Sequence, residues 1–290
     1  VITGAGADVT IVSAANLDRV FQIHIGVSSV AISDLTIRDG NAGNLWGGGI
    51  SSYGGTVTLT RCMVVDNLSS LGGGGYYHNA GRTLIASVST FCDNLSVSAI
   101  GEDISNSQGT VLLTNCTVSN SDLYAVPIDN NNGTMTILNS TLVHAVATPG
   151  TVLRTSGTSP TLTNTVIVGS CLTASGGAFV SSGGNLESPG DTCGLDQLSD
   201  QTGVADAGLL PLGFYGGATE THAPLASSPA VDAALDGPCP SVDQRGVVRP
   251  VDGDGNATAT CDCGAVEFEL PLFADGFETG GPGGWSSVVS

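Results

Sequence analysis

Apolar and polar residues alternate in short stretches of this chain, and the stretches recur. "VAISDLTIRDG" starts at Val30, "VTLTRCMVVDN" at Val57, "LIASVSTFCDN" at Leu84 and "VLLTNCTVSNS" at Val111, with further copies from Met135 and Pro160. The steps between them are 27, 27, 27, 24 and 25 residues. Period-two alternation rich in Val, Ile and Thr is a strand signal. Gly, Ser and Asn fill the intervals, as turns require. A period of this length holds three short strands with their turns, one coil of a solenoid. The predicted fold is therefore all-β, a right-handed parallel β-helix.

The copies align column by column. Their third residues are Ile32, Leu59, Ala86, Leu113, Ile137 and Leu162, and their eighth are Ile37, Val64, Phe91, Val118, Leu142 and Ile167. The sixth column is Leu35, Cys62, Ser89, Cys116, Ser140 and Thr165. All three columns are expected to point inward and stack on the next coil, about 4.8 Å away. Full burial of a large apolar side chain contributes roughly 1.5–3 kcal/mol, so two apolar columns make a substantial core. Cys62 and Cys116 are then core thiols two coils apart, too distant for a disulfide.

The copies end in Asp39, Asp66, Asp93 and Asn120, followed by Gly40, Asn67, Asn94 and Ser121. Asn67 and Asn94 are expected to be turn residues whose amides bond up and down the stack. A second strand is marked by "WGGGI" (46–50) and "GGGGYY" (72–77), and "RVFQIHI" (19–25) is expected to be a strand of the preceding coil. Asn-x-Ser/Thr sequons stand at Asn67, Asn94, Asn115, Asn132, Asn139 and Asn256, a number that a chain rich in these residues also reaches by chance.

Composition narrows the partners. The chain has 290 residues and a net charge of −19, and its seven basic residues are all arginine. Such a surface repels nucleic acid, which needs clustered basic residues, and it repels polyanionic sugars unless a divalent cation bridges them. Hydrophobic residues make up 41%, and their patterning argues against acidic disorder. No apolar run approaches a membrane span. The opening "VITGAGADVT" already has strand and turn character, so a processed or truncated start is expected. Eight cysteines without paired C-x-x-C units argue for disulfides and buried thiols rather than zinc.

The pattern changes after about residue 170. "SCLTASGGAFVSSGGNLESPGDTCGL" carries a cysteine near each end, and a Cys171–Cys193 disulfide is expected. Further on stand "GGATETH" (216–222), "SPAVDA" (228–233), "DQRGVVRP" (243–250) and "CDCGAVEF" (261–268). Over roughly residues 204–268 these resemble, in order, the C-terminal region of bacterial secreted right-handed β-helix proteins of the choice-of-anchor Q domain family. The resemblance implies a secreted or surface-displayed protein. Cys263 departs from the pattern, where such proteins usually carry an apolar residue. Cys261 is accordingly the preferred partner of Cys239, with Cys263 second. Pro224, Pro229, Pro238, Pro240 and Pro250 break regular coils, so this region is expected to be a looped cap over the end of the stack. Arg245 is expected to pair with Asp243 or Asp232. "PLFADGFETGGPGGW" (271–285) resembles a short tail found at the ends of surface proteins of some Gram-negative bacteria, which implies anchoring or sorting. The expected division is coils over 1–170, last coils and cap over 171–268, and a Gly-rich tail over 269–290.

Two candidate sites follow. "DGDGNATATCDC" begins like a calcium loop, with Asp252, Asp254 and Asn256 at alternate positions, but carries Ala257 where such a loop needs Gly and Cys263 where it needs Glu. A Ca²⁺ site of other geometry would add Asp262, and Ca²⁺ is the one cofactor suggested. Trp46, Tyr53, Tyr76, Tyr77 and His78 form the main aromatic group, able either to stack on sugar rings or to pack loops. The leading expectation is a structural, adhesive or glycan-binding extracellular protein, whose partners are a polysaccharide or cell-surface glycan, or a second copy stacked end to end. The alternative is a carbohydrate-active enzyme, a polysaccharide lyase or glycoside hydrolase. Hydrolysis needs two carboxyls facing one bond, and stacked Asp39, Asp66 and Asp93 arise from the repeat itself. A lyase needs cations, which are scarce here.

Overall fold

The computed structural model describes residues 1–145 and 150–270. The tail motif at 271–285 lies outside them. Among the described residues there is no helix, and the chain winds as a parallel β-helix with three long sheets and a two-stranded one formed by Leu68–Ser69 and Leu95–Ser96. The first sheet has eight strands, including Ser29–Ser33, Thr56–Thr60, Thr83–Ser87, Thr110–Thr114 and Thr134–Leu138. The second, also eight-stranded, includes Thr36–Arg38, Met63–Val65, Thr90–Cys92, Thr117–Asn120, Thr141–His144 and Val166–Val168. The third has seven, including Phe21–Ile23, Ile50–Ser52, Tyr76–His78, Ile104–Ser107, Ile128–Asn131 and Thr151–Ser156.

The register is the one written in the repeat. Val57 pairs with Val30 and Leu84, and Leu113 with Ala86 and Ile137. Phe91 pairs with Val64 and Val118 in the second sheet, and Tyr76 with Ile50 in the third. The expected strand in 19–25 is present as Phe21–Ile23. All three predicted columns are buried. A fourth column lies with them: Val57, Leu84, Val111 and Met135, the first residues of their copies, which alternation places on the same face as the third. In the sixth column the polar members carry the ladder, since Ser89 Oγ accepts from Cys62 N and Ser140 Oγ from Cys116 N, both at 3.1 Å. Burial raises the Cys62 thiol to about 11 and the Cys116 thiol to about 12, so both are inert core thiols.

The turn asparagines form the expected ladder, which ends on a carboxylate. Asn67 Nδ2 donates to Asn94 Oδ1 at 2.9 Å, and Asn94 Nδ2 to Asp103 Oδ1 at 2.7 Å. Asn120 Nδ2 donates to the other oxygen of Asp103 at 3.1 Å. Asn67, Asn94, Asn115 and Asn139 are buried, so of the six sequons only Asn132 and Asn256 expose their side chains.

The C-terminal region is looped and carries both disulfides, Cys171–Cys193 and Cys239–Cys261. Its placement differs from a simple lid. The end of the stack is closed by the segment around Cys193 and Leu195, which joins the main core. Beyond it Gln201 bridges Leu186, and Asp200 accepts from Ser181 Oγ and Asn185 N. The proline-rich segment from about 204 to 268 instead runs back along the outside of the second sheet as a strap. Gln244, Thr221, His222 and Ala265 bond Thr117, Ser119 and Thr141 there. The reason lies in the sheet, whose outward column Thr90, Thr117, Thr141, Val166 and Leu186 is at most 2% exposed. Val166 and Leu186 need an apolar cover, and Ala207, Ala230, Cys261 and Cys263 supply it.

Inside the strap one ion pair is fully enclosed. Arg249 pairs with Glu267 at 2.9 Å, both side chains being 0% exposed, and donates to the carbonyls of Asp262 and Gly264. Arg245 pairs with Asp243 at 2.9 Å, one of its two expected partners.

Candidate functional site

Among the described residues no such strap lies on the outer face of the third sheet. Three long connections from the second sheet to the third project beside it and make one wall. They contribute Trp46, then Leu71, then Ser98 and Ile100. The outward column of the third sheet carries Ser51, Tyr77, Ser105, Asp129 and Arg154 on successive rungs, and the last three form the floor. Ser107 and Asn131 stand beside it on the next outward column. Together these enclose a groove of about 260 Å³.

Trp46 is held from two sides. Its ring stacks on Tyr77 at 4.8 Å between centroids and 24° between planes, and Tyr53 meets Tyr77 edge-on at 6.2 Å. Below it lies Gly72, where an added Cβ would come within 2.6 Å of the indole. Gly72 also has φ +141°, so the connection needs glycine for both shape and clearance. Arg19 Nε donates to the Trp46 carbonyl at 3.0 Å and fixes the backbone.

Arg154 Nη1 donates to Asp129 Oδ1 at 2.6 Å at the far end of the groove. The side chains are 25% and 7% exposed, so the pair is largely withdrawn from water. Burial raises the Asp129 carboxyl above its ordinary value, and the Arg154 charge opposes that shift.

The five aromatic candidates divide by strand phase. Trp46, Tyr53 and Tyr77 lie on the outside. Tyr76 and His78 point inward, are 0% exposed, and offer no ring face to a sugar. The Tyr76 hydroxyl meets His78 Nδ1 at 3.3 Å and His78 Nε2 meets Asn106 Oδ1 at 2.6 Å. Asn106 Nδ2 in turn donates to Asn130 Oδ1 at 2.7 Å. Since that oxygen of Asn106 can only accept, His78 carries its proton on Nε2 and receives the tyrosine hydroxyl on Nδ1. Burial lowers His78 to about 4, which keeps it neutral.

The candidate calcium residues are brought together only in part. Carboxylate oxygens of Asp232, Asp252 and Asp254 lie within 4.8 Å of one another, with Asp232 an unforeseen member. Asp262 does not join them. Its buried carboxylate accepts from Asp232 N and Phe268 N, and burial raises it to about 7. The Asn256 carbonyl is turned to Thr258 N. Backbone amides of Gly253, Asp254, Gly255, Asn256 and Ala257 already bond the three clustered carboxylates, so the turn holds itself together.

Asp129, Arg154, Ser105, Ser107 and Asn131 were not singled out from the sequence. One signal does mark Ser105, Asp129 and Arg154, an apolar–x–polar triplet that recurs as Tyr76-Tyr77-His78, Ile104-Ser105-Asn106, Ile128-Asp129-Asn130 and Leu153-Arg154-Thr155. Its middle position faces the groove. No protein-family model, no curated protein and no solved structure matches this chain.

Proposed function

We propose that this chain is an extracellular β-helix protein that binds glycan in the Trp46–Arg154 groove, in a structural or adhesive role. The observation that carries the proposal is the groove itself. An aromatic plane backed by Tyr77, a floor of Ser and Asn groups, and an ion pair line one channel. Sugars present C–H faces and hydroxyl edges, and this lining offers a partner to each. Two disulfides fit an oxidising environment outside the cytosol. The motifs over 204–268 support a secreted bacterial protein of the choice-of-anchor Q type, and the sequence of 271–285 supports display on a Gram-negative surface. The strap they form gives those motifs a physical role, since Asp243, Arg245 and Arg249 tie it internally and Gln244 joins it to Thr117 of the second sheet.

Among the described residues the groove lining holds one carboxylate, Asp129, and it is tied to Arg154. Hydrolysis of a glycosidic bond needs two carboxyls across that bond, so binding without turnover is the better-supported role. Glycan binding is tested by affinity electrophoresis or calorimetry against a polysaccharide panel. Trp46→Ala is expected to weaken the bound polymer at least about tenfold, or 1.4 kcal/mol. Release of new chain ends by the wild-type protein would instead establish the enzyme. End-to-end association, the other adhesive mode, is tested by sedimentation at high concentration, where monomers alone would remove it.

A further inference from the structure

We infer that the groove selects neutral, hydroxyl-rich polysaccharide and rejects uronate-bearing chains, with the closed Asp129–Arg154 pair as the selecting element. This rests on the glycan reading above and adds the class of glycan.

Binding a carboxylate in a partly dry groove requires a cation free to meet it. Arg154 is the only cation among the described residues of the groove lining, and its Nη1 is committed to Asp129 at 2.6 Å. A uronate drawing it away would leave Asp129 behind as an unpaired carboxylate that is 7% exposed, and one that met only the remaining N–H donors would share a guanidinium whose charge Asp129 already balances. An uncompensated buried charge is strongly unfavourable. The incoming anion would also sit beside Asp129 in the field of a chain carrying net charge −19. Both terms act against acidic sugars and neither acts against neutral ones.

A hydroxyl both donates and accepts. The intact pair offers Asp129 Oδ2 as an acceptor next to the remaining guanidinium N–H donors. Two neighbouring hydroxyls of one sugar ring match that set without breaking the pair. The rungs supply the spacing. Tyr77, Ser105, Asp129 and Arg154 lie one rung apart in sequence, at about 4.8 Å each. That step is close to the advance of one pyranose in an extended chain. A polymer lying across the rungs therefore meets Trp46 with one ring and the Asp129–Arg154 pair with a later one. Ser107 and Asn131 line its edge.

The test uses the whole chain in EDTA at low salt, against neutral gluco-, manno- and xylo-polymers and against polygalacturonate and alginate. The wild type is expected to bind at least one neutral polymer, and the uronates at least tenfold more weakly. Asp129→Asn frees the guanidinium, and is expected to raise uronate binding about tenfold while lowering neutral binding. Should that variant not fold, judged by circular dichroism, Arg154→Gln serves in its place. It is expected to lower neutral binding about tenfold with no gain for uronates. Wild-type binding of uronates as tight as of neutral polymers overturns the selection and leaves glycan binding standing. The selection is also overturned if folded Asp129→Asn gains no uronate binding, or if neutral binding is unchanged in whichever variant folds. Binding to no polymer overturns both readings together.

Discussion

The second and third sheets are built from the same coils, yet their outer faces end in opposite conditions. On the second sheet the outward column Thr90, Thr117, Thr141, Val166 and Leu186 lies under the strap. On the third sheet Ser105, Asp129 and Arg154 line an open groove. The repeat specifies the inner face of both. The outer face is specified by whatever non-repeating chain is laid on it. A covered face contributes to stability and is closed to ligands, whereas an open face is available to them and contributes little to stability. The comparison predicts that changes beneath or within the strap alter the unfolding free energy, while changes in the groove alter binding.

The largest effect is expected inside the strap. Arg249→Ala leaves Glu267, which is 0% exposed, without its partner. Breaking a buried pair from one side costs about 3–5 kcal/mol. Guanidinium unfolding is expected to show that loss, with Thr117 and Thr141 amides exchanging faster as the strap loosens. A shift below about 1 kcal/mol would show that the strap is not part of the cooperative unit.

Next comes pH. Burial raises Asp103 to about 7, Glu102 to about 8 and Asp262 to about 7. An acid with a raised folded-state pKa keeps its proton in the folded chain after the unfolded chain has lost it. Its contribution is complete below about pH 4 and is lost as pH rises through 7 to 8. His78 and His222 are lowered by burial, so their contribution is complete above about 6.5 and is lost as pH falls. The two sets oppose each other between 4 and 6.5, and above 6.5 only the carboxyls act. Stability is expected to fall by about 2 kcal/mol between pH 6.5 and 8. Asp262→Asn is expected to flatten part of that slope. A stability that rises over this interval would contradict the buried placement of these acids.

The seam between strap and sheet gives a smaller effect. Thr117 Oγ1 meets Thr221 Oγ1 at 2.8 Å and donates to Gln244 Oε1 at 2.7 Å. Thr117→Val keeps the shape and strands the Gln244 oxygen, at a cost of about 1–2 kcal/mol. This seam also marks where sequence reasoning stopped. Inward columns were legible because apolar residues recur at fixed steps, and stacking makes register follow from alignment. Thr90, Thr117 and Thr141 have the look of a solvent-facing column, since period two says which face a residue is on but not what covers that face. Their cover comes from a segment without the repeat, so its path along the sheet was not in the periodicity. The aromatic group was legible as a group, but Tyr76 and Tyr77 are neighbours on opposite faces. Separating them requires the strand phase, which the short third-sheet strands show only through the triplet ending in His78, Asn106, Asn130 and Thr155. Asp129 and Arg154 lie 25 residues apart and meet only because that triplet is in register.

The smallest stability effect belongs to the open face. Asn131 lines the groove, is exposed, and its side chain accepts from Asn132 Nδ2 at 2.8 Å. Asn131→Ala is expected to change the unfolding free energy by no more than about 0.5 kcal/mol, as for surface positions in general. Its hydrogen-bonding edge faces the proposed polymer, and a neutral hydrogen bond is worth about 1 kcal/mol. Polysaccharide affinity is therefore expected to fall roughly fivefold with the melting curve unmoved. Thr117→Val should do the reverse, lowering the melting curve and leaving affinity unchanged below the transition. If both variants move both quantities, the two faces are coupled through the coil and the division between a covered and an open sheet does not hold. If each moves only its own, the strap and the groove are separate devices built on one repeat.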